Sequence, residues 1–592
     1  MIFRWLRQRR NNTPSLTTTT NPTENNRENI ALSKIDDLLE KGDIEAAEKS
    51  LNELLQEDTA NSVAMLQMAK LYRLQGKFSD SIQWAERSLL DHENPAEVHY
   101  QQGETLLAMK DIQGALDSIN TALALDENHL KAWLRYGDIL ARQEKYNQAL
   151  DAYKTALSFS DEKHENLINL QIAQTLHALR SWPDAVDAYK KVLSKDPENV
   201  TAWTALGHVE LVQDNDASAL IAYIKAREIC EKNSIPIPLT LELHLAMCYQ
   251  YSARWNEALI LYRKLHTQYP KDSNVSWYLS QCELAMGNWE RGWEFYGSRF
   301  LTKASSWRAM PFAIWHGEEA LNKTLLVLAD QGLGDEIMFS SCVLEAKKRV
   351  GHLILECEPR LEKLFIRSFS GISVVASERE RSTRWLKDYP QPDFQIASGD
   401  LPALFRQNRN KFPDHHGYLK ADPDRIAYWA NRLNDCGPGV KIGISWRGGV
   451  PLTRGRVRST TAQDWKSILN TPNCQFINLQ YGNYQEDLAE FSSLAPGRVH
   501  DFPEVIPDYD ETAALVMALD LVITVCTSIV HLSGALGKEV WVLVPHVPGW
   551  RYQASGNSMP WYPSAHLFRQ TDAGNWKDAC QNLSFALQKR QK

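Results

Sequence analysis

Small residues recur at a near-constant interval through the first half of the chain. They stand at Gly103, Gly137, Ala173, Gly207 and Ala246, in steps of 34, 36, 34 and 39 residues. Twelve positions after each comes a second small residue, at Ala115, Ala149, Ala185, Ala219 and Ala258. Four beyond that, an aromatic usually follows, at Tyr153, Tyr189, Tyr223 and Tyr262. Small residues in this register let two helices approach closely, and the large residues fill the gap to the next pair. Trp133, Trp203 and Trp277 fall near unit starts, and Pro197 and Pro270 near unit ends. Weaker copies cover Ile35–Leu54, Met68–Ser88 and Trp277–Gly297, for about eight units in all.

The pattern resembles the tetratricopeptide repeat (TPR), whose period is about 34 residues. That resemblance implies an α-helical solenoid over residues 29–297, with a concave face suited to a protein or peptide partner. The Trp and Tyr residues of the array are expected to fill its core.

Beyond Trp289-Glu-Arg-Gly-Trp-Glu-Phe-Tyr296 the texture changes. Residues 298–322 hold the irregular aromatic stretch Pro311–Glu318 and predict a packed connector, since Gly and Ser are too few for a flexible linker. Then comes Thr324-Leu-Leu-Val-Leu-Ala-Asp-Gln-Gly-Leu-Gly-Asp-Glu-Ile-Met-Phe339. An apolar run, a glycine turn and an acidic pair predict a buried strand, a tight loop and a helix start. Strands are expected at 352–356, 372–375 and 394–397, with a helix at 359–368. The pattern loosens between Lys411 and Pro438. A second series follows, with strands at 440–446, 475–479, 521–525 and 540–544 and helices at 461–469, 484–494 and 529–536. The last of those strands is expected to close it. Alternating strands and helices predict parallel sheets, so residues 323–438 and 439–592 are two α/β halves with a cleft at their strand ends.

A net charge of −8 over 592 residues gives no general reason to expect nucleic acid or an anionic membrane as partner. The nine cysteines include no C-x-x-C pair, which predicts reduced, structural thiols and no metal site. Residues 1–28 predict a disordered tail, whose Arg4, Arg7, Arg9 and Arg10 beside Trp5 and Leu6 admit either a solvated tail or a membrane-surface contact. With no signal peptide and no apolar run near the roughly 18 residues a span needs, the expected location is cytoplasmic.

Four constellations could carry chemistry. In Gly332-Leu-Gly334-Asp335, the carboxylate is either a helix cap or a general base facing the cleft. In Ser445-Trp-Arg447-Gly-Gly449, with Arg454, Arg456 and Arg458 behind, the loop is either an anion site or a solvated basic loop. Thr527, Ser528 and His531 sit at a helix start that binds phosphate or is simply capped. Pro545-His-Val-Pro-Gly-Trp-Arg551 and Pro560-Trp-Tyr-Pro563 either shape a pocket or are rigid packing.

Together with the repeats, Pro-Phe-x-x-Trp-x-Gly-Glu, Asp-Gln-Gly-Leu-Gly-Asp-Glu, Gly-Ile-Ser-Trp-Arg-Gly-Gly, Thr-Ser-x-x-His-Leu-x-Gly-Ala-Leu-Gly and Pro-Trp-Tyr-Pro resemble bacterial repeat-containing glycosyltransferases. The second half is similar to heptosyltransferases and, more distantly, to O-GlcNAc transferases. The resemblance implies a TPR solenoid followed by an α/β GT-B fold, two Rossmann-like domains facing a cleft. It implies an inverting transfer from a nucleotide-sugar donor held mainly by residues 439–592, without metal or cofactor. Asp335 falls on the family's base. Gly332, Gly334, Arg447, Arg458, Thr527, Ser528 and His531 fall on donor-binding positions. The acceptor implied by analogy is a protein, flagellin or another surface protein, held by the repeats. Alternatives are a non-catalytic scaffold or a transferase acting on a glycan such as lipopolysaccharide. One departure stands out: Cys526 occupies a place where the family has Asp, which removes a donor-side carboxylate.

Overall fold

The computed structural model describes residues 22–302, 307–449 and 454–591. The basic segment at Arg4–Arg10 lies outside the described residues. The first helix begins at Pro22, inside the tail expected over residues 1–28. Proline suits a first helical turn, because the N–H it lacks would have no partner there.

The chain divides into two compact units, Met1–Val209 and Glu210–Lys592. The first contains the helical pairs Pro22–Lys41 with Ile44–Glu57, Ser62–Leu74 with Phe78–Ser88, Pro95–Ala108 with Ile112–Leu125, Leu130–Arg142 with Tyr146–Ser158, and Glu162–Ala178 with Trp182–Lys195. Within each pair the chain turns on one left-handed residue, Gly42, Gly76, Lys110, Glu144 or Arg180. The small residues act as their spacing suggests. A Cβ on Gly137 would lie 2.6 Å from the Tyr153 ring, and one on Gly103 would lie 2.8 Å from Ile119. Tyr153 and Tyr189 are buried to 1% and 0% exposure, so they are core.

The unit boundary falls inside the helix Val200–Val212, well before the end of the repeats near residue 297. The second unit takes in the pairs Leu239–Tyr251 with Trp255–Gln268 and Ser273–Ala285 with Trp289–Tyr296. The reason is aromatic packing. Trp293 meets Trp550 and Trp561 edge-on at 5.5 and 6.4 Å, and Trp289 meets Phe412 at 4.7 Å. The late repeats thus share a core with the α/β region.

Two sheets follow. The first is all parallel, in the order β1-β5-β2-β3-β4, from β1 (Ala313–Ile314), β2 (Ala320–Leu328), β3 (Val350–Cys357), β4 (Ser373–Ala376) and β5 (Phe394–Ala397). So β1 and the start of β2 lie inside the expected connector, where buried Arg308 donates to Glu356 at 2.8 Å. The second sheet has the order β11-β12-β10-β9-β6-β7-β8. Its strands are β6 (Val440–Ser445), β7 (Cys474–Asn478), β8 (Val499–His500), β9 (Leu521–Val525), β10 (Val540–Val544), β11 (Ser558–Met559) and β12 (Tyr562–Arg569). Every residue of β9 and β10 is buried, as a central parallel strand requires.

Three expectations are corrected. β10 does not close the series: β12 pairs parallel to it from Ala565 to Arg569. Pro563 enters this strand before that register begins, where no ladder N–H is needed. The loose stretch 411–438 contains the helix Pro423–Asn434, capped by Asp422, which accepts the Asp424 N–H at 2.9 Å. Over 461–469 only Lys466–Leu469 is helical, because the Thr461 N–H and hydroxyl both donate to Asp464 and hold a turn. No described helix is long and apolar enough to cross a membrane.

Candidate functional site

The strand ends of both sheets and the inner helices of the late repeats enclose a cavity of about 730 Å³. Its first wall is the segment after β2. Asp330 is buried there and accepts from Arg299 Nε at 2.9 Å. Gln331 takes a left-handed φ of 65°, and its amide donates to the Tyr296 hydroxyl at 2.8 Å. Arg299 and Tyr296 close the repeat array, so the array's end fixes this loop. The helix Leu333–Ser340 then begins, with Asp335 in its first turn. Asp335 Oδ2 accepts the Gly332 N–H at 3.4 Å, a weak capping bond, and Oδ1 accepts Arg551 Nε at 2.6 Å. Its neighbour Glu336 turns inward, where burial pushes its carboxyl up to about 7; the Glu358 N–H and Arg379 offset this only in part.

The second wall is the turn after β9. The Thr527 hydroxyl accepts the Ile529 N–H at 3.2 Å and caps the helix Ser528–Ala535. His531 is 5% exposed, and its Nδ1 lies 3.2 Å from the Tyr562 hydroxyl. Burial, and then the charge of Arg551, push its imidazole down to about 3, so it is neutral. Cys526 is buried and its thiol is pushed up to about 12 by burial, so it stays protonated. Gly334 brings the two walls together: a Cβ there would stand 2.9 Å from His531 Cδ2 and 3.3 Å from Ser528 Cα. Gly448 does the same for the loop after β6, where a Cβ would stand 2.7 Å from Thr527 Cγ2 and 2.8 Å from the Cys526 carbonyl oxygen.

The expected arginine loop separates into different roles. Arg447 Nε pairs with Asp487 at 2.7 Å and does not line the cavity. Arg454 donates to Asp214 at 3.0 Å and Asp216 at 2.6 Å, with its guanidinium 4.1 Å from the Tyr251 ring centre. Arg456 also reaches Asp214, at 3.4 Å. These carboxylates divert two guanidiniums from anion binding to anchoring, and Arg458 is left on the cavity wall with Arg454. Of the other expected site residues, Gly334, Asp335, Thr527, Ser528 and His531 line the cavity. Gly332 is outside it, as the N-cap of the helix carrying Asp335.

The third wall was legible only in part: its loop falls largely in the stretch Pro545–Arg551, expected either to shape a pocket or to pack rigidly, whereas the repeat aromatics were expected to fill the core. It consists of Tyr251, Trp277 and Tyr278 from the repeats and the loop Val547–Tyr552 after β10. The loop is docked on the repeats: Gln553 Nε2 donates to the Leu284 carbonyl and the Ala554 N–H to that of Ala285, both at 2.8 Å. Arg551 reaches from this loop to Asp335. Burial works against its charge, but the carboxylate more than offsets this and holds the guanidinium above its ordinary value. The stretch that carries Arg551 was singled out in the sequence, but nothing in it pointed to the pairing with Asp335, 216 positions away. Among the described residues, no group of three or more His, Cys, Asp or Glu is placed to hold a metal ion.

Models of the tetratricopeptide repeat match residues 38–102, 170–233 and 241–272, and a model described as anaphase-promoting complex, cyclosome, subunit 3 matches residues 75–156. The chain thus carries tetratricopeptide repeats. It is similar to Protein FlbA of Caulobacter vibrioides, 29% identical over 437 residues, or 70% of this chain and 72% of that protein. It is also similar to the general transcriptional corepressor ssn6 of Schizosaccharomyces pombe, 31% identical over 126 residues, or 21% of this chain and 11% of that one. YrrB, a TPR protein with an unusual peptide-binding site, has a TM-score of 0.27 at 17% identity, covering 31% of this chain and 94% of its own. The C-terminal part of a TPR protein from Cytophaga hutchinsonii has a TM-score of 0.35 at 14% identity, covering 42% and 99%.

Proposed function

We propose that the second unit is a glycosyltransferase of GT-B type that moves a sugar from a nucleotide-sugar donor to a hydroxyl, with the repeats holding a protein acceptor. The observation that carries this reading is the cavity. It sets one carboxylate, Asp335, against a wall of Arg458, Thr527, Ser528 and neutral His531. A helix N-terminus with hydroxyls and an arginine suits a phosphate. Tyr481 and Tyr509 also line the cavity, and aromatic rings of this kind suit a nucleobase.

In the proposed step, the acceptor oxygen attacks the anomeric carbon and its proton passes to Asp335. The bond from that carbon to the phosphate oxygen breaks, and the electron pair leaves with the nucleotide. Arg458 and the Ser528 helix start oppose the charge that develops there. A single displacement of this kind inverts the anomeric centre.

The test is a melting-temperature screen of the full chain against UDP-, ADP-, GDP- and CMP-sugars. A donor that binds only the native state raises the melting point. Mass spectrometry of a co-purified protein should then show a gain of one sugar mass. No shift with any donor would overturn the reading.

A non-catalytic, partner-binding repeat scaffold is the second reading. It is favoured by two observations: the matched family models fall within the repeats, and Cys526 stands where the resemblance has a carboxylate. If Cys526→Asp folds but neither binds nor turns over any donor, this second reading is preferred.

A further inference from the structure

We infer that Arg551 is a positioning residue for the Asp335 carboxylate, an inference that rests on the transferase reading above. Arg551 comes from the loop after β10, 216 positions from Asp335 in the chain, and it is the cation that crosses the cleft to it. Its Nε and terminal nitrogen both reach Oδ1, the former at 2.6 Å. A carboxylate oxygen has two lone-pair sites, so two arginine N–H groups occupy Oδ1. Among the described residues, Oδ2 has only the Gly332 N–H, at 3.4 Å, near the limit of a hydrogen bond. Oδ2 is therefore the atom that takes the proton of an acceptor hydroxyl or of water.

The guanidinium is itself held in place. It lies 4.7 Å from the centre of the Trp550 ring, which packs among Trp293, Tyr296 and Trp561. Arg569 fastens the same loop by donating to the carbonyls of Gln553 at 3.0 Å and Ser555 at 3.2 Å. The bonds to Leu284 and Ala285 fasten it to the repeats. A side chain gripped by a rigid loop can fix a reacting group to within the tolerance that catalysis requires.

The test uses the full chain with water as acceptor, following nucleotide release from whichever of the UDP-, ADP-, GDP- and CMP-sugars the wild-type protein hydrolyses. Arg551→Gln and Arg551→Lys are expected to lower kcat by about 10²-fold with a nearly unchanged donor Kd. Free guanidinium should restore part of the rate to Arg551→Ala and none to Asp335→Asn. A purely structural role would not produce that selective rescue. Unchanged kcat in Arg551→Gln, or a folded Arg551→Ala that guanidinium does not rescue, would overturn the inference and leave the transferase reading standing. Should Arg551→Ala fail to fold, Arg551→Lys decides: wild-type kcat in that variant overturns the inference. A wild-type protein that hydrolyses no sugar nucleotide, or an Asp335→Asn variant with full activity, overturns the transferase reading and this inference with it.

Discussion

Arg454 donates to Asp216 at 2.6 Å across 238 positions of sequence, and the same guanidinium bonds Asp214 at 3.0 Å. This contact fastens the loop after β6 to the repeat helices at the edge of the cavity. Asp214 is the left-handed turn residue of its helical pair, with φ at 60°, so the contact is made at a rigid corner.

Removing Arg454 should therefore leave Asp216 without this cation and Asp214 with Arg456 at 3.4 Å, both carboxylates being 18% exposed. Arg454→Ala is expected to cost about 2 kcal/mol, less than a fully buried pair because some water reaches the site. Urea denaturation checks this, and adding Asp214→Asn with Asp216→Asn should recover part of the loss.

Arg447 and Arg458 are eleven positions apart and should behave differently. Arg458 lines the cavity, whereas Arg447 is paired with Asp487 outside it. Arg458→Ala should weaken nucleotide-sugar binding about tenfold, the scale of one charge-assisted hydrogen bond. Arg447→Ala should leave affinity unchanged. Calorimetric titration of both variants with one donor separates the two roles.

Gly448→Ala probes the close approach of two loops. The added Cβ would meet Thr527 Cγ2 at 2.7 Å and the Cys526 carbonyl oxygen at 2.8 Å, and the latter cannot rotate away. A destabilisation of about 1–3 kcal/mol is expected from overpacking, together with weaker donor binding. Denaturation midpoints and the same titration measure both.

His531 gives a pH dependence with a defined sign. Its folded value is pushed down to about 3, while the unfolded imidazole titrates near 6.5. As pH falls from about 6.5 toward 3, the unfolded chain gains a proton that the folded one does not. Stability is thus full above that window and falls by up to about 1.4 kcal/mol per pH unit within it. His531→Gln should flatten the slope of unfolding free energy against pH between 4 and 6.5.

All nine cysteines are free and buried. The thiols of Cys248, Cys282, Cys526 and Cys580 are pushed up to about 12, with burial the largest cause. A thiol reagent at pH 8 should label the native protein slowly and the urea-unfolded protein at once. Rapid native labelling of Cys526 would show that the turn after β9 is open to solvent.

Much of this architecture was present locally. The repeat was legible because close helix packing demands small residues at fixed places, as Gly137 against Tyr153 shows. The turns between paired helices were less visible. Of their left-handed residues, Lys110, Glu144, Arg180, Asp214 and Ala253 are not glycine, so backbone strain there left no mark in composition. The buried strands β9 and β10 appeared as apolar runs. β12 did not, because Pro563 and polar side chains interrupt it.

Sequence alone determined what depends on neighbours along the chain: the repeat period, the apolar strands, and the glycine turn that places Asp335 at a helix start. Only the tertiary structure decided what depends on partners far along it. It gave Arg454 to Asp214 and Asp216, Arg447 to Asp487, and Arg551 to Asp335. A guanidinium pairs with whichever carboxylate the fold brings within reach, and local spacing cannot specify that choice. It also joined the late repeats to the α/β sheets, because Trp289 and Trp293 find their aromatic partners more than a hundred residues away.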